Sequence, residues 1–398
     1  MNSDDDHVVA SIRQRLIAAN EPVTSARIEH YVREYAVALG DEAVADISRA
    51  LERQLLGAGA LQQLLDLPGV TDVLVNGPQD IWVDRGQGLQ RTRVILGSDA
   101  DLRTLAMRLA ANAGCRLDDA CPTADGRLPD GTRFHAVLAP LVDAAAVISL
   151  RVPQTQSWQL PQLVEQAMIP ALWEPILAQI VAARIGVVVS GATGAGKTTV
   201  LAALLRAAGA YERIVLIEES RELMVEHPHL VALQSRRVNA EGSGEITLSQ
   251  LVKESLRMRP DRIVVGEVRG AEIRELLLAF NTGHRGGAVT LHANSAQDVP
   301  ARLVSLGQLA GLSPAVVADQ ATTAFSVVMH VRRAYHQGQL RRFVSNVAVL
   351  AGRGDTPSAP GSAITSLDAL TWRGYGPSRE GPGWAELQRL LTAAQQVV

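Results

Sequence analysis

The chain has 398 residues, 47% of them apolar, 20% charged and 4% aromatic, with a formal net charge of −3. This is the composition of a two- or three-domain soluble globular protein whose cores are built from Ala, Val, Leu and Ile, and it carries no global bias toward nucleic acid. Two cysteines, Cys115 and Cys121, cannot make a disulfide framework or a four-thiolate zinc site. The acidic start MNSDDDHVVA lacks a signal-peptide pattern, and no run approaches the length of a membrane span. A cytosolic protein is expected, with any membrane role passing through a partner.

Residues 1–60 read as a small helical module. Val8, Ile12, Leu16 and Ile17 form one apolar stripe; Thr24 or Ser25 caps a second helix ending near Gly40; a third runs over 41–56 and stops at Gly57. From Leu67 the pattern turns to short β-type runs punctuated by Asn76-Gly77-Pro78, Gly86-Gln87-Gly88 and Asp130-Gly131, with one helix over 100–113. Residues 61–151 are therefore expected to form an α+β domain, and the Pro- and Gln-rich stretch that follows, 152–165, a linker. Over 166–350 apolar runs alternate with helical patterns, the signature of a parallel sheet with crossover helices. Residues 351–398 read as a Gly/Pro/Ser linker ending in an amphipathic helix through Trp384, Leu387, Leu390 and Leu391. The RGD tripeptide in that linker reads as chance.

The most informative segment is GATGAGKTT at 191–199, which follows the apolar run IGVVVS and precedes a helical pattern. Gly191, Gly194 and Gly196, with Thr193, Ala195 and Thr199 between and after them, let the backbone curl so that N–H groups point inward at phosphate oxygens. The following helix adds its positive end. Lys197 reaches the β- and γ-phosphates, and Thr198 holds Mg²⁺. The alternative, a glycine-rich turn with a surface lysine, does not account for strand, loop and helix in that order.

Ligands of open parallel sheets bind beyond the carboxyl ends of the strands. Four apolar runs end there in chemically able residues: 185–190 in the phosphate loop, 214–217 in Glu218 and Glu219, 263–266 in Glu267, and 288–291 in His292. Glu267 is the candidate to orient or deprotonate the attacking water, Glu218 to help hold Mg²⁺, and His292 to sense the γ-phosphate. Each has a plainer reading, as a solvated carboxylate, a capping acid or a hydrogen-bonded histidine. Zinc is not expected, because no His or Cys pair has ligand spacing.

Four motifs in order, GATGAGKTT, IEESREL (217–223), LRMRPDRIVVGEVRGAE (256–272) and NTGHRGGAVTLHANS (281–295), resemble the secretion ATPases of the type II/type IV secretion and pilus-motor superfamily. Together with LPGVTDVLVNGP, DGRLPDGTR and ISLRVP upstream, they most resemble the CpaF/TadA ATPases of tight-adherence (Flp) pili. The resemblance covers residues 67–333. It implies an α/β fold: a RecA-like ATPase domain with a parallel sheet, preceded by an α+β PAS-like domain and the helical module. It also implies a homo-hexamer that uses ATP and Mg²⁺ and drives platform proteins at the cytoplasmic face of the inner membrane; net charge and aromatic content give no expectation of direct nucleic-acid binding. Glu267 falls on the family's catalytic glutamate, Glu218 on the acidic-box glutamate, and His284 and His292 on the His-box histidines. Arg133 and Arg151, with Arg127 as a third, fall where the family brings arginines to the phosphates. Three departures stand out: Glu219 replaces the usual Asp, Arg285 follows His284, and no cysteine follows Cys121. Two competing functions are a RecA-like nucleic-acid motor, disfavoured by charge and aromatic poverty, and an ATP-binding switch that hydrolyses negligibly.

Overall fold

The computed structural model describes residues 25–35, 44, 47–48, 57–153, 157–236, 244–281, 283, 285–352 and 364–395. Of the expected helical module, the second helix is seen as α1 (Ser25–Tyr35); the first helix and most of the third lie outside the described residues. The chain divides into two compact units, Met1–Pro153 and Gln154–Val398.

The first unit holds a six-stranded, wholly antiparallel sheet. Its strands are β1 (Asp72–Gly77), β2 (Asp80–Asp84), β3 (Leu89–Arg91), β4 (Thr123–Arg127), β5 (Arg133–Leu138) and β6 (Ala146–Arg151), in the order β3-β2-β1-β6-β5-β4. Strand β1 alternates: Val73 and Val75 are buried, while Leu74 between them is only partly covered. This is the half-buried pattern of a sheet with one face on a core. The inward face packs on α2 (Asp99–Asn112) through Leu102, Leu105, Ala106 and Leu109. Ser98 starts that helix with a reciprocal cap: its hydroxyl accepts from Asp101 N, and the Asp101 carboxylate accepts from Ser98 N at 2.8 Å.

The second unit is built on a nine-stranded mixed sheet. Six strands run parallel: β7 (Val187–Gly191), β8 (Ile214–Glu218), β9 (Leu230–Gln234), β10 (Arg262–Val265), β11 (Ala288–Leu291) and β12 (Val327–His336). Three more add antiparallel at the β12 edge: β13 (Gln339–Gly352), β14 (Ile364–Thr371) and β15 (Arg379–Glu380). The order is β15-β14-β13-β12-β7-β11-β10-β8-β9. Strands buried on both faces read as unbroken apolar runs, and β7, β8, β10 and β11 are buried at every position. Val187, Val189, Leu216, Val264 and Met329 face one core, shared with α3 (Leu160–Glu165), α4 (Glu174–Ala182) and α5 (Lys197–Arg206). Val188, Val215, Ile217, Ile263, Val265 and Val289 face the other. That core is shared with α6 (Leu248–Ser255), α7 (Glu272–Asn281), α8 (Val299–Leu309) and α9 (Pro314–Ala324).

Three expectations are corrected. The stretch 152–165 is not linker throughout, since α3 buries Leu160 and Leu163 in the first of these cores. Residues 351–398 are more than a linker and a tail helix. Strand β14 pairs along β13 from Asn346↔Thr371 to Gly352↔Ile364, and α10 (Trp384–Gln395) buries Leu387 and Leu391 against the sheet. The run ITSLDALT has little intrinsic strand signal, with an Asp at its centre; its conformation comes from the long partner strand. The sheet, expected to be parallel, is mixed, because β13, β14 and β15 add antiparallel at its β12 edge.

Candidate nucleotide site

Parallel pairing sets the site. Ser190 lies opposite Leu291, Ile217 opposite Val265, and Gly266 N donates to Ile217 O. The carboxyl ends of β7, β8, β10 and β11 therefore lie along one edge, and the phosphate loop, Glu218, Glu267 and His292 emerge there. In the loop, Gly196 has φ +104, a left-handed conformation closed to other residues at low cost, and it immediately precedes α5. A side chain there would also press on Met168 Cε, 3.1 Å from the Cβ position. Ala195 is fully buried, Thr193 and Gly194 are exposed, and Thr198 and Thr199 are half-buried in the first turn of α5.

Lys197 is buried, and its ammonium donates to the carbonyls of Gly191 and Ala192, each at 3.1 Å. It lies 3.5 Å from both ring nitrogens of His292. His292 Nε2 is 2.6 Å from Glu267 Oε1, while Arg269 donates to Glu267 Oε2 at 2.7 Å. Arg269 also reaches Glu219 Oε2 at 3.6 Å. Burial alone would raise the Glu267 pKa, but the Arg269 hydrogen bond, together with the charges of Arg269, His292 and Lys197, outweighs burial and holds the carboxyl below its ordinary range. Burial and the neighbouring Lys197 push the His292 pKa down and favour a neutral ring, against the opposing pull of Glu267. Burial likewise lowers Lys197, opposed by Glu267.

Glu218 is almost wholly buried. Its Oε1 accepts from the backbone N–H of Glu222 at 2.9 Å and of Leu223 at 3.0 Å, folding the turn after β8. Thr290 donates to Gly266 O at 2.5 Å, tying β11 to the segment that carries Glu267. Ser190 and His330 Nδ1 are 2.9 Å apart and both buried, joining β7 to β12 just below the loop.

In the first unit, Arg127, Arg133 and Arg151 form a cross-strand row: Arg127 lies opposite Arg133, and Arg133 opposite Arg151. Opposed residues share a face, and Arg151 Nε bonds Asp72 Oδ1 at 3.0 Å. The sheet thus brings these arginines together. His284 lies outside the described residues. Among the described residues, no cluster of three His, Cys, Asp or Glu is placed to hold a metal. The fit for Mg²⁺ rests on Thr198, half-buried at the start of α5, and on the Glu218 carboxylate at the end of β8, on the same edge of the sheet.

Three participants escaped the sequence reading. Arg269, two residues past Glu267 in GEVRGAE, gave a signal only as an opposite charge close in the chain. His330 and Arg342, whose Nε donates to Gly194 O at 2.9 Å, gave none, because their partners are distant in the chain.

A glycine-rich loop feeding a helix, with an ionised glutamate and a histidine facing its lysine at one sheet edge, meets the requirements of a phosphate-loop nucleotide site. The chain belongs to the Type II/IV secretion system protein family, whose model matches residues 54–347. It is 48% identical over 318 residues to the "Putative conjugal transfer protein Rv3659c" of Mycobacterium tuberculosis H37Rv, covering 78% of this chain and 90% of that protein. To conjugal transfer protein TrbB of Rhizobium radiobacter it is 30% identical, over 61% of this chain and 73% of that one. Its fold is similar to that of the pilus retraction motor PilT, solved with bound ADP, at 18% identity and a TM-score of 0.51 over 75% of this chain and 83% of that one. No helix among the described residues is long and apolar enough to cross a membrane.

Proposed function

We propose that this chain is an ATP-hydrolysing motor subunit that powers assembly of a Flp/Tad-type pilus or a related secretion system. The observation that carries the reading is the Glu267 carboxylate, held ionised between Arg269 and His292 at the strand end facing the Lys197 loop. A carboxylate so placed can orient water and take its proton, while the loop N–H groups and Lys197 compensate phosphate charge. Lys197 rests on two loop carbonyls that it can exchange for phosphate oxygens. Thr198 and, through water, Glu218 would hold Mg²⁺, which when bound neutralises charge on the phosphates. His292 touches both Glu267 and Lys197 and so links the water-activating group to the phosphate-binding one.

The further parts of the reading are a ring hexamer, platform proteins of the inner membrane as partners, a cytoplasmic location and phosphate contacts from Arg133 and Arg151. Family membership supports them, as does the conjugal-transfer relative that matches most of the chain. Mg-ATP turnover of the full chain, with Lys197→Ala as the blank, tests the proposal. Turnover abolished in the variant is expected; unchanged turnover would refute the assignment of the loop.

A further inference from the structure

Beyond Val331, which pairs with Gly191, strand β12 leaves the parallel sheet and continues with β13 as a two-stranded arm over residues 332–343. Within the arm Arg333 lies directly opposite Arg342, so both side chains leave the same face. That face borders the phosphate loop. Arg342 Nε donates to Gly194 O at 2.9 Å, and its Cδ is 3.8 Å from where a Cβ on Gly196 would stand. Arg333 Nη1 is 3.4 Å from the corresponding point on Gly194. Arg333 is exposed, and its guanidinium makes no hydrogen bond or ion pair with another described residue. The reverse face of the arm is braced separately: Arg341 donates to Gly374 O at 3.3 Å, and His336 stacks on Tyr375 with ring centroids 4.1 Å apart.

Like charges directly opposite on paired strands oppose folding. Here two guanidinia oppose each other beside a loop that already carries Lys197. An anion seated in the loop turns that repulsion into shared attraction, and a planar guanidinium fork suits phosphate oxygens. The Gly194 carbonyl, meanwhile, must point away from the phosphates if the loop N–H groups are to face them, and Arg342 engages it from outside.

We propose that Arg333 and Arg342 are an in-subunit guanidinium pair for the nucleotide's polyphosphate, with Arg333 contacting it directly and Arg342 positioning the loop through Gly194. The inference rests on the reading of the loop as a nucleotide site and adds to it two residues beyond the recognised motifs.

Equilibrium binding of Mg-ATP and of inorganic tripolyphosphate to the full chain, compared for wild type, Lys197→Ala, Arg333→Gln, Arg342→Gln and Arg342→Lys, tests it. One lost charge-assisted contact predicts that Arg333→Gln binds both probes about tenfold more weakly, by a margin that shrinks at high salt. Arg342→Gln should weaken both as well, with Arg342→Lys restoring part of the loss at an unchanged melting temperature. Wild-type affinity in Arg333→Gln while Lys197→Ala loses binding would overturn the inference and leave the nucleotide site standing. Loss of Mg-ATP but not of tripolyphosphate binding would overturn the polyphosphate assignment in favour of a contact with the base. Wild-type protein that binds neither probe would remove the nucleotide site, and the inference with it.

Discussion

Gly266 is the residue against which Glu218 packs: a Cβ on Gly266 would lie 2.8 Å from Glu218 Cγ and 3.4 Å from its Cδ. Strands β8 and β10 are neighbours, and Glu218 turns inward across the end of β10 to reach the N–H groups of Glu222 and Leu223. Any side chain at 266, including the aspartate common at this place in other phosphate-loop ATPases, would occupy that path.

Gly266→Ala should therefore cost stability of about 1–3 kcal/mol, the usual range for overpacking a filled site. Clearing the contact would need a different Glu218 rotamer, which gives up the hydrogen bonds from Glu222 and Leu223. Thermal or urea unfolding measures the cost, and a variant as stable as wild type would show that Glu218 has another rotamer available.

Arg269 holds Glu267 ionised, so its removal has a signed consequence for pH dependence. The Glu267 pKa is lowered in the folded protein, and the base form is lost as pH falls through that lowered value. Arg269→Gln should move the acid limb of the kcat/KM profile for ATP hydrolysis toward higher pH. An unmoved limb would mean that another group sets it.

His330 is buried, and burial, with the Arg332 charge adding to it, lowers its pKa below the ordinary value of about 6.5. The folded state then binds fewer protons than the unfolded one between the lowered value and about 6.5. The contribution to stability is complete above that window and is lost as pH falls through it. His330→Ala should cost about 1–3 kcal/mol by stranding Ser190 Oγ, and should flatten the pH dependence of unfolding below neutrality. A variant with wild-type slope would exclude His330 as its source.

The proposed role of Arg133 and Arg151 is one that kinetics and stability would report differently. Arg151 is half-exposed, and its ion pair with Asp72 is worth about 0–1 kcal/mol. Arg133→Ala and Arg151→Ala should leave the melting temperature within a few degrees of wild type and lower ATP turnover. Normal kinetics in both would reject phosphate contact by this sheet.

Much of the site was legible in the sequence because parallel strands buried on both faces write themselves as apolar runs, and whatever follows each run lands on one edge. Glu218, Glu267, His292 and the loop were found that way. What was not legible depended on pairing between distant segments. Strand β14 needs β13 to exist, His330 needs Ser190, and Arg342 needs the Gly194 carbonyl. Arg269 lies between these cases, since its spacing from Glu267 was visible but the partner it would choose was not. The Glu218-Glu219 departure also gains a physical reading: Glu218 Oε1 is bonded to the backbone of the turn that follows, and Glu219 meets Arg269.

The most direct test of the central claim is Mg-ATP binding and single-turnover hydrolysis by Glu267→Gln beside wild type. Loss of a positioned base predicts ATP binding close to wild type with hydrolysis slowed about 10²–10⁴-fold. Hydrolysis at the wild-type rate would contradict the account and place the base elsewhere.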